Sequence, residues 1–362
     1  MFERVFELYI VFTRNCNLRC EYCYQSKSNK SISKDTIDKI IYFIIKHPKV
    51  VYINLFGGEA FVEIDMIEYF IDMLIKVKKE HNRNFIVYTN TNGTIYNNKF
   101  VNLINKITDN FEFRYVVSID GNKKFHDSKR KTISGQPTYN LIINNIKKMR
   151  VNCPKAFIDF HTVIQKEMCE DFYSVAKEIV RNPLFDWGAF EFLMKTDGKV
   201  HYTIKDLENI YSGIMRLNKE GYSLEFLEIR FNNIIKSLDY RYNNIGRVKE
   251  YCPNGETAIA IDYNGKVYPC DFYLTLDENI QSKFSIYDLN TNSGYIDNFD
   301  RLLKLTSETE EQKDKCNNCS SRQFCRICTG VKDINHKCGF DIECQQNKMI
   351  YQAMQNIKFI IE

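Results

Sequence analysis

Cys16, Cys20 and Cys23 are spaced C-x-x-x-C-x-x-C, so three thiolates can reach one metal centre and no fourth is offered nearby. A structural zinc site or an electron-transfer cluster usually closes on four protein ligands. A four-iron cluster held by only three cysteines keeps one iron open to a substrate or cofactor, so the spacing points to catalysis. Ten further cysteines complete the set of thirteen. Cys153 and Cys169 stand alone and read as buried structural thiols, whereas Cys252, Cys270, Cys316, Cys319, Cys325, Cys328, Cys338 and Cys344 crowd the last third. Disulfide-dense scaffolds are short and exported, and the start Met1-Phe2-Glu3-Arg4 has no signal-peptide order, so metal ligation in a reducing cytoplasm is the expectation.

The elements that must position the first cysteine loop alternate between strand and helix. Phe6 to Thr13 is a β-branched apolar run ending where the cysteines begin, and Ser33 to His47 has isoleucines at helical spacing behind a Ser33 N-cap. Strands follow at Val50–Phe56, Asn84–Thr91, Phe113–Ile119, Ala156–Ile164 and Ala189–Met194, with helical patterns between them. Such alternation implies a parallel sheet with right-handed crossovers. Six units are too few for a closed eight-stranded barrel, so the expected fold is α/β, a partial (β/α)6 barrel followed by a cysteine-rich C-terminal domain. Functional loops follow the strands' C-terminal ends in such folds. Gly57-Gly58-Glu59, Asn92-Gly93 and Asp120-Gly121 fall on that rim with the cysteine loop.

The loop C-x-x-x-C-x-Y-C after strand one, with G-G-E after strand two, resembles the radical S-adenosylmethionine enzymes over roughly Phe6 to Lys195. The resemblance implies that Cys16, Cys20 and Cys23 hold a 4Fe–4S cluster whose open iron is chelated by S-adenosylmethionine. It implies cofactor contacts from Tyr22 beside the adenine, from Gly57, Gly58 and Glu59 near the ammonium group, from Asn92 on the rim, and from Ser118 and Arg130 toward ribose and carboxylate. Ala60 departs from the proline that many relatives carry after G-G-E. Arg130 also lies in the basic run Lys129–Lys131, a pattern usual on solvated surfaces, and His161 in its strand pattern reads as a core residue.

The last third resembles the SPASM extension with two auxiliary 4Fe–4S clusters, giving three clusters in all. Carried over, Cys252, Cys270 and Cys328 serve the nearer cluster, and Cys316, Cys319, Cys325 and Cys344 the outer one. Two residues, not the usual three, separate Cys325 from Cys328, and no cysteine follows soon after Cys252. The nearer cluster would then have an open iron, or Cys338 would close it. Thr257 to Pro269 reads as a hairpin turning at Asn264-Gly265. Domain boundaries are expected at 1–200 for the barrel, 201–248 for a helical bridge and 249–362 for the auxiliary domain.

Asp271, in Pro269-Cys270-Asp271-Phe272-Tyr273, resembles the aspartate assigned as catalytic base in anaerobic sulfatase-maturating enzymes. The leading expectation is a radical enzyme that oxidatively cross-links a ribosomally made peptide. The alternatives are formation of formylglycine from Cys or Ser in a sulfatase, and a non-catalytic zinc-binding interaction protein. A peptide or protein substrate and a flavodoxin or ferredoxin electron donor are the implied partners. A net charge of +4 without a dense basic stripe gives no sign of nucleic acid, and no apolar run of transmembrane length suggests a membrane.

Overall fold

The computed structural model describes residues 2–192, 201–222, 257–276, 278–294 and 338–361, with positions 255 and 319. Six parallel strands run in sequence order: β1 (Glu7–Thr13), β2 (Tyr52–Gly57), β3 (Ile86–Thr91), β4 (Glu112–Ser118), β5 (Phe157–Ile164) and β6 (Trp187–Phe192). Helices α1 (Lys34–Lys46), α2 (Ile64–His81), α3 (Asn98–Asn110), α4 (Lys123–Lys129), α5 (Tyr139–Asn152) and α6 (Phe172–Val180) connect them. The expected β/α units are therefore present, joined by α4, a short helix that the sequence reading placed no element on. Ser33 does cap α1, its side chain accepting from the Thr36 backbone N–H at 3.1 Å.

Alternate residues along each strand face the helices. Leu8, Ile10 and Phe12 of β1 are fully buried with Ile37, Ile40 and Ile44 of α1, each such side chain contributing about 1.5–3 kcal/mol by leaving water. Glu7, Tyr9 and Val11 take the opposite, concave side. That face is polar lower down: Tyr88 donates to Glu7 across the sheet, and Tyr9 lies in register with Asn54, which pairs in turn with Tyr88.

One strand joins where the sequence did not place it. Ala258–Ile261, β7, pairs parallel with β1 on the edge opposite β2, and β8 (Lys266–Tyr268) continues antiparallel from it. The hairpin expected between Thr257 and Pro269 forms, with Gly265 at φ +81° in its turn. Its first strand also extends the barrel sheet, because Ile259 and Ile261 present the same buried β-branched face as β1. Helix α7 (Ile204–Lys219) in the expected bridge packs Leu207, Ile210 and Leu217 with Phe172, Phe190 and residues of the helix Cys338–Ile361. Cys153 and Cys169 are buried, as expected.

Candidate active site

The cysteine loop leaves β1 and is stitched to the chain on both sides. Arg14 N–H donates to Lys30 at 2.8 Å, and Arg19 and Glu21 donate to the carbonyls of Lys131 and Lys129 at 2.8 and 3.0 Å. The basic run 129–131 is thus a backbone clamp on the cysteines and not simply a solvated surface. Cys16 is buried, Cys20 half-buried and Cys23 exposed. Leu18 N–H and Asn92 Nδ2 approach the Cys16 sulfur at 3.4 and 3.8 Å. Among the described residues no three ligand side chains converge on a single ion. That arrangement suits a cubane, in which each cysteine takes a different iron, and donors near a ligand sulfur are one way a protein tunes a cluster. Burial pushes the Cys16 and Cys20 thiols up, so loading a cluster must displace their protons.

Gly57 and Gly58 are required by the loop itself. A Cβ on Gly57, at φ +139°, would lie 2.3 Å from the Thr13 carbonyl oxygen, and one on Gly58 would lie 2.3 Å from that of Asn15. Their bare backbone lets the end of β2 lie against the cysteine loop, with Gly58 and Glu59 N–H donating to Thr13 and Asn15 at 2.9 Å. Glu59 is fully buried, and its carboxylate accepts from Thr91 Oγ1 at 2.8 Å, Asn92 N–H at 2.7 Å and Phe61 N–H at 3.3 Å. It therefore acts as a pin between strand ends: both oxygens already have protein donors, in place of the cofactor ammonium group the resemblance suggested. Asn92, held by Glu59, bonds onward to Asn17 at 2.8 Å.

Tyr22 and Arg130 meet on a residue that sequence reading treated only as rim punctuation. Asp120, fully buried, accepts from the Tyr22 hydroxyl, from Arg130 Nε at 2.9 Å, from Gln165 Nε2 at 3.2 Å and from Val163 N–H at 3.1 Å. Burial alone would raise its carboxyl, but the Arg130 guanidinium outweighs this and holds it below the usual range. Arg130, expected to face a cofactor carboxylate, has this internal carboxylate as partner. Asp120 N–H donates to His126 Nδ1 at 3.2 Å, so Nε2 carries the proton toward Thr138 Oγ1 at 2.9 Å. Ser118 ends β4 half-buried, opposite His161 in the ladder. His161 is no core residue: it is half-buried on the concave face, 3.0 Å from Glu191.

Asp271 reaches the same barrel from the far end of the chain. Cys270 packs with Val11 of β1, Phe56 of β2 and Tyr268 of β8. Asp271 opens a short 3₁₀ turn, Asp271–Thr275. Burial, then the nearby Glu191 charge, pushes its carboxyl up to about 6, and burial followed by Asp271 raises the Tyr24 phenol. Two residues sequence reading passed over, Tyr24 and Glu191, thus share the Asp271 environment. Both are ordinary residue types, at a loop and a strand position, with no spacing signal to mark them. Cys344 is half-buried in the helix Cys338–Ile361, and Cys319 is half-buried. Cys252, Cys316, Cys325 and Cys328, and the side chain of Cys338, lie outside the described residues.

A profile of the radical SAM superfamily matches residues 10–179, and one of the SPASM iron–sulfur cluster-binding domain matches residues 252–320. The serine-type anaerobic sulfatase-maturating enzyme of Bacteroides thetaiotaomicron is 30% identical over 94% of this chain and 86% of its own length. This chain belongs to the radical SAM superfamily. It is a radical SAM enzyme with a SPASM domain, which excludes the zinc-binding interaction protein. The cysteine-type anaerobic sulfatase-maturating enzyme of Clostridium novyi is 28% identical over 93% of the chain and 92% of its own length. The solved structure of native anSMEcpe with bound AdoMet shares the fold at a TM-score of 0.75, with 18% identity over 98% of this chain and 99% of that one. The architecture of this radical SAM enzyme implies an S-adenosylmethionine site and auxiliary iron–sulfur sites. Among the described residues no helix is long and apolar enough to cross a membrane.

Proposed function

We propose that this enzyme oxidises a cysteine or serine side chain of a peptide or protein to formylglycine, as its sulfatase-maturating relatives are named for doing. The observation that supports this most is the docking of the Asp271 turn onto β1 and β2 beside the cysteine loop. It brings a carboxylate to the place where a substrate side chain would meet the barrel. The cluster on Cys16, Cys20 and Cys23, when reduced, supplies the electron that releases a 5′-deoxyadenosyl radical from S-adenosylmethionine. Oxidising a –CH2–SH or –CH2–OH group removes one hydrogen atom from Cβ, one proton from the heteroatom and one further electron. Asp271 is the group positioned to take the proton, in a half-buried pocket where water competes poorly. An auxiliary cluster using Cys270, with two clusters in the C-terminal region, gives the electron a path out, and a flavodoxin or ferredoxin is the proposed donor to the first.

Peptide cross-linking, the leading sequence expectation, drew on the lack of a ligand near Cys252, a position outside the described residues. Full-length likeness to both cysteine-type and serine-type maturases favours formylglycine over it. The test is anaerobic turnover of reconstituted enzyme with dithionite, S-adenosylmethionine and synthetic peptides bearing one cysteine or one serine. Aldehyde captured by a hydrazide, matched to 5′-deoxyadenosine and absent in Cys16→Ala, is expected. A thioether product without aldehyde would overturn the proposal in favour of cross-linking.

A further inference from the structure

We infer that Arg14 is a positioning residue that locks the Asp271 turn to the cysteine loop; this rests on the reading of Asp271 as the base. The backbone of Arg14 belongs to the cysteine loop, two residues before Cys16, where its N–H donates to Lys30 and its carbonyl accepts from Ser28. Its side chain, only 4% exposed, belongs to the other end of the chain. Nη1 donates to the Leu274 carbonyl at 2.7 Å, and Nη2 to Asp262 Oδ2 at 2.7 Å and Gln281 Oε1 at 2.8 Å. Gln281 Nε2 closes the set on Asp262 at 3.0 Å. Asp262 and Gln281 are 2% and 1% exposed. Leu274 lies in the same single 3₁₀ turn as Asp271, so fixing its carbonyl fixes the carboxylate's backbone.

Stability is a poor explanation for this cluster. A buried ion pair often adds nothing over a well-packed apolar pair. Here, moreover, Arg14 Nε is buried with no partner among the described residues, a donor that a purely stabilising network would satisfy. What the guanidinium does provide is direction. Its planar fork meets acceptors from the β7–β8 turn, the Asp271 turn and the helix Glu278–Gln281 at fixed angles, which a lysine ammonium cannot reproduce. The cavity lined by Thr13, Arg14, Gln25, Gly57 and Leu274 lies along this junction, so a shift of the turn would change the gap between radical source and base.

The experiment compares wild type with Arg14→Lys, Asp262→Asn and the double variant Arg14→Met/Asp262→Leu, the last leaving no lone buried charge. Two quantities are read on the reconstituted protein: hydrogen exchange of the amides at 271–275, and modified cysteine peptide formed per 5′-deoxyadenosine. Exchange at 271–275 is expected to quicken in all three while α2 and α3 stay protected. Asp262→Asn is expected to keep 5′-deoxyadenosine formation but lose about tenfold in product per radical, the usual scale for misplacing a reacting group by a fraction of an ångström. Unchanged exchange and an unchanged ratio in the double variant would overturn the inference. If wild type itself modifies no peptide, the proposed reaction fails, while exchange still decides whether Arg14 holds the turn.

Discussion

Asp120 and Asp262 each hold a buried arginine beside the cysteine loop, but the two flanks are built from different parts of the chain. Asp120 gathers Arg130, Tyr22, Val163 and Gln165 within the barrel, and none of its side-chain atoms is buried without a partner. Asp262 takes Arg14 across 248 residues and leaves the arginine's Nε without a partner among the described residues. The first flank is a complete local network, suited to fixing the loop whatever the rest of the protein does. The second is a junction between the loop and a segment that carries Cys270 and Asp271. Radical generation and substrate deprotonation are thus anchored to one loop by two independent arginine–carboxylate pairs.

Substitutions should separate the flanks. Asp271→Asn removes the proposed base without touching either arginine. Product formation from a cysteine peptide should fall by about 10²–10⁴, with 5′-deoxyadenosine still formed in single-turnover assays. An equal fall in both would break the division of labour between the flanks. Asp120→Asn leaves Arg130 buried beside a neutral amide, so unfolding should become easier by about 3–5 kcal/mol, measured by denaturant titration.

His126 offers a pH handle on the first flank alone. Burial, then the Arg130 charge, lowers its imidazole to about 4, with Asp120, Asp127 and Lys123 also facing it. The unfolded chain takes up this proton near the ordinary value of about 6.5, so the fold's preference for neutral His126 is fully present above that pH. It is lost as pH falls through about 4. The loss should amount to about 3 kcal/mol, and His126→Gln should flatten that part of the stability–pH curve. The smallest effect is expected at the exposed pair Lys129–Glu21, 3.0 Å apart. Lys129→Ala should change stability by no more than about 1 kcal/mol and leave iron loading intact, because the grip on the loop there is backbone to backbone. A large loss of iron would show that the side chains, and not the ladder, hold the cysteines.

Much of this was legible in sequence because it is local. The period-two and helical patterns between Phe6 and Phe192 encode their own elements, and the cysteine spacing carries its own ligand logic. Gly57-Gly58 marked the close approach correctly, but only the structure shows that the approach is to the Thr13 and Asn15 carbonyls. Asp120 carried the wrong emphasis, as an acidic residue after a strand looks the same whether it caps a turn or anchors an arginine. Arg14 and Asp262 were invisible for a simpler reason: nothing in the text around either residue depends on the other.

The order of strands and helices, the three-cysteine loop and the second cysteine-rich region were determined by the sequence alone, since each rests on contacts or spacings among near neighbours. Tertiary structure decided that β7 adds to β1, that Asp271 arrives beside the cysteines, and which carboxylate each buried arginine serves. Those outcomes depend on which buried faces and charges meet across hundreds of residues, and burial makes a charged side chain accept whatever partner the packing brings within hydrogen-bond reach.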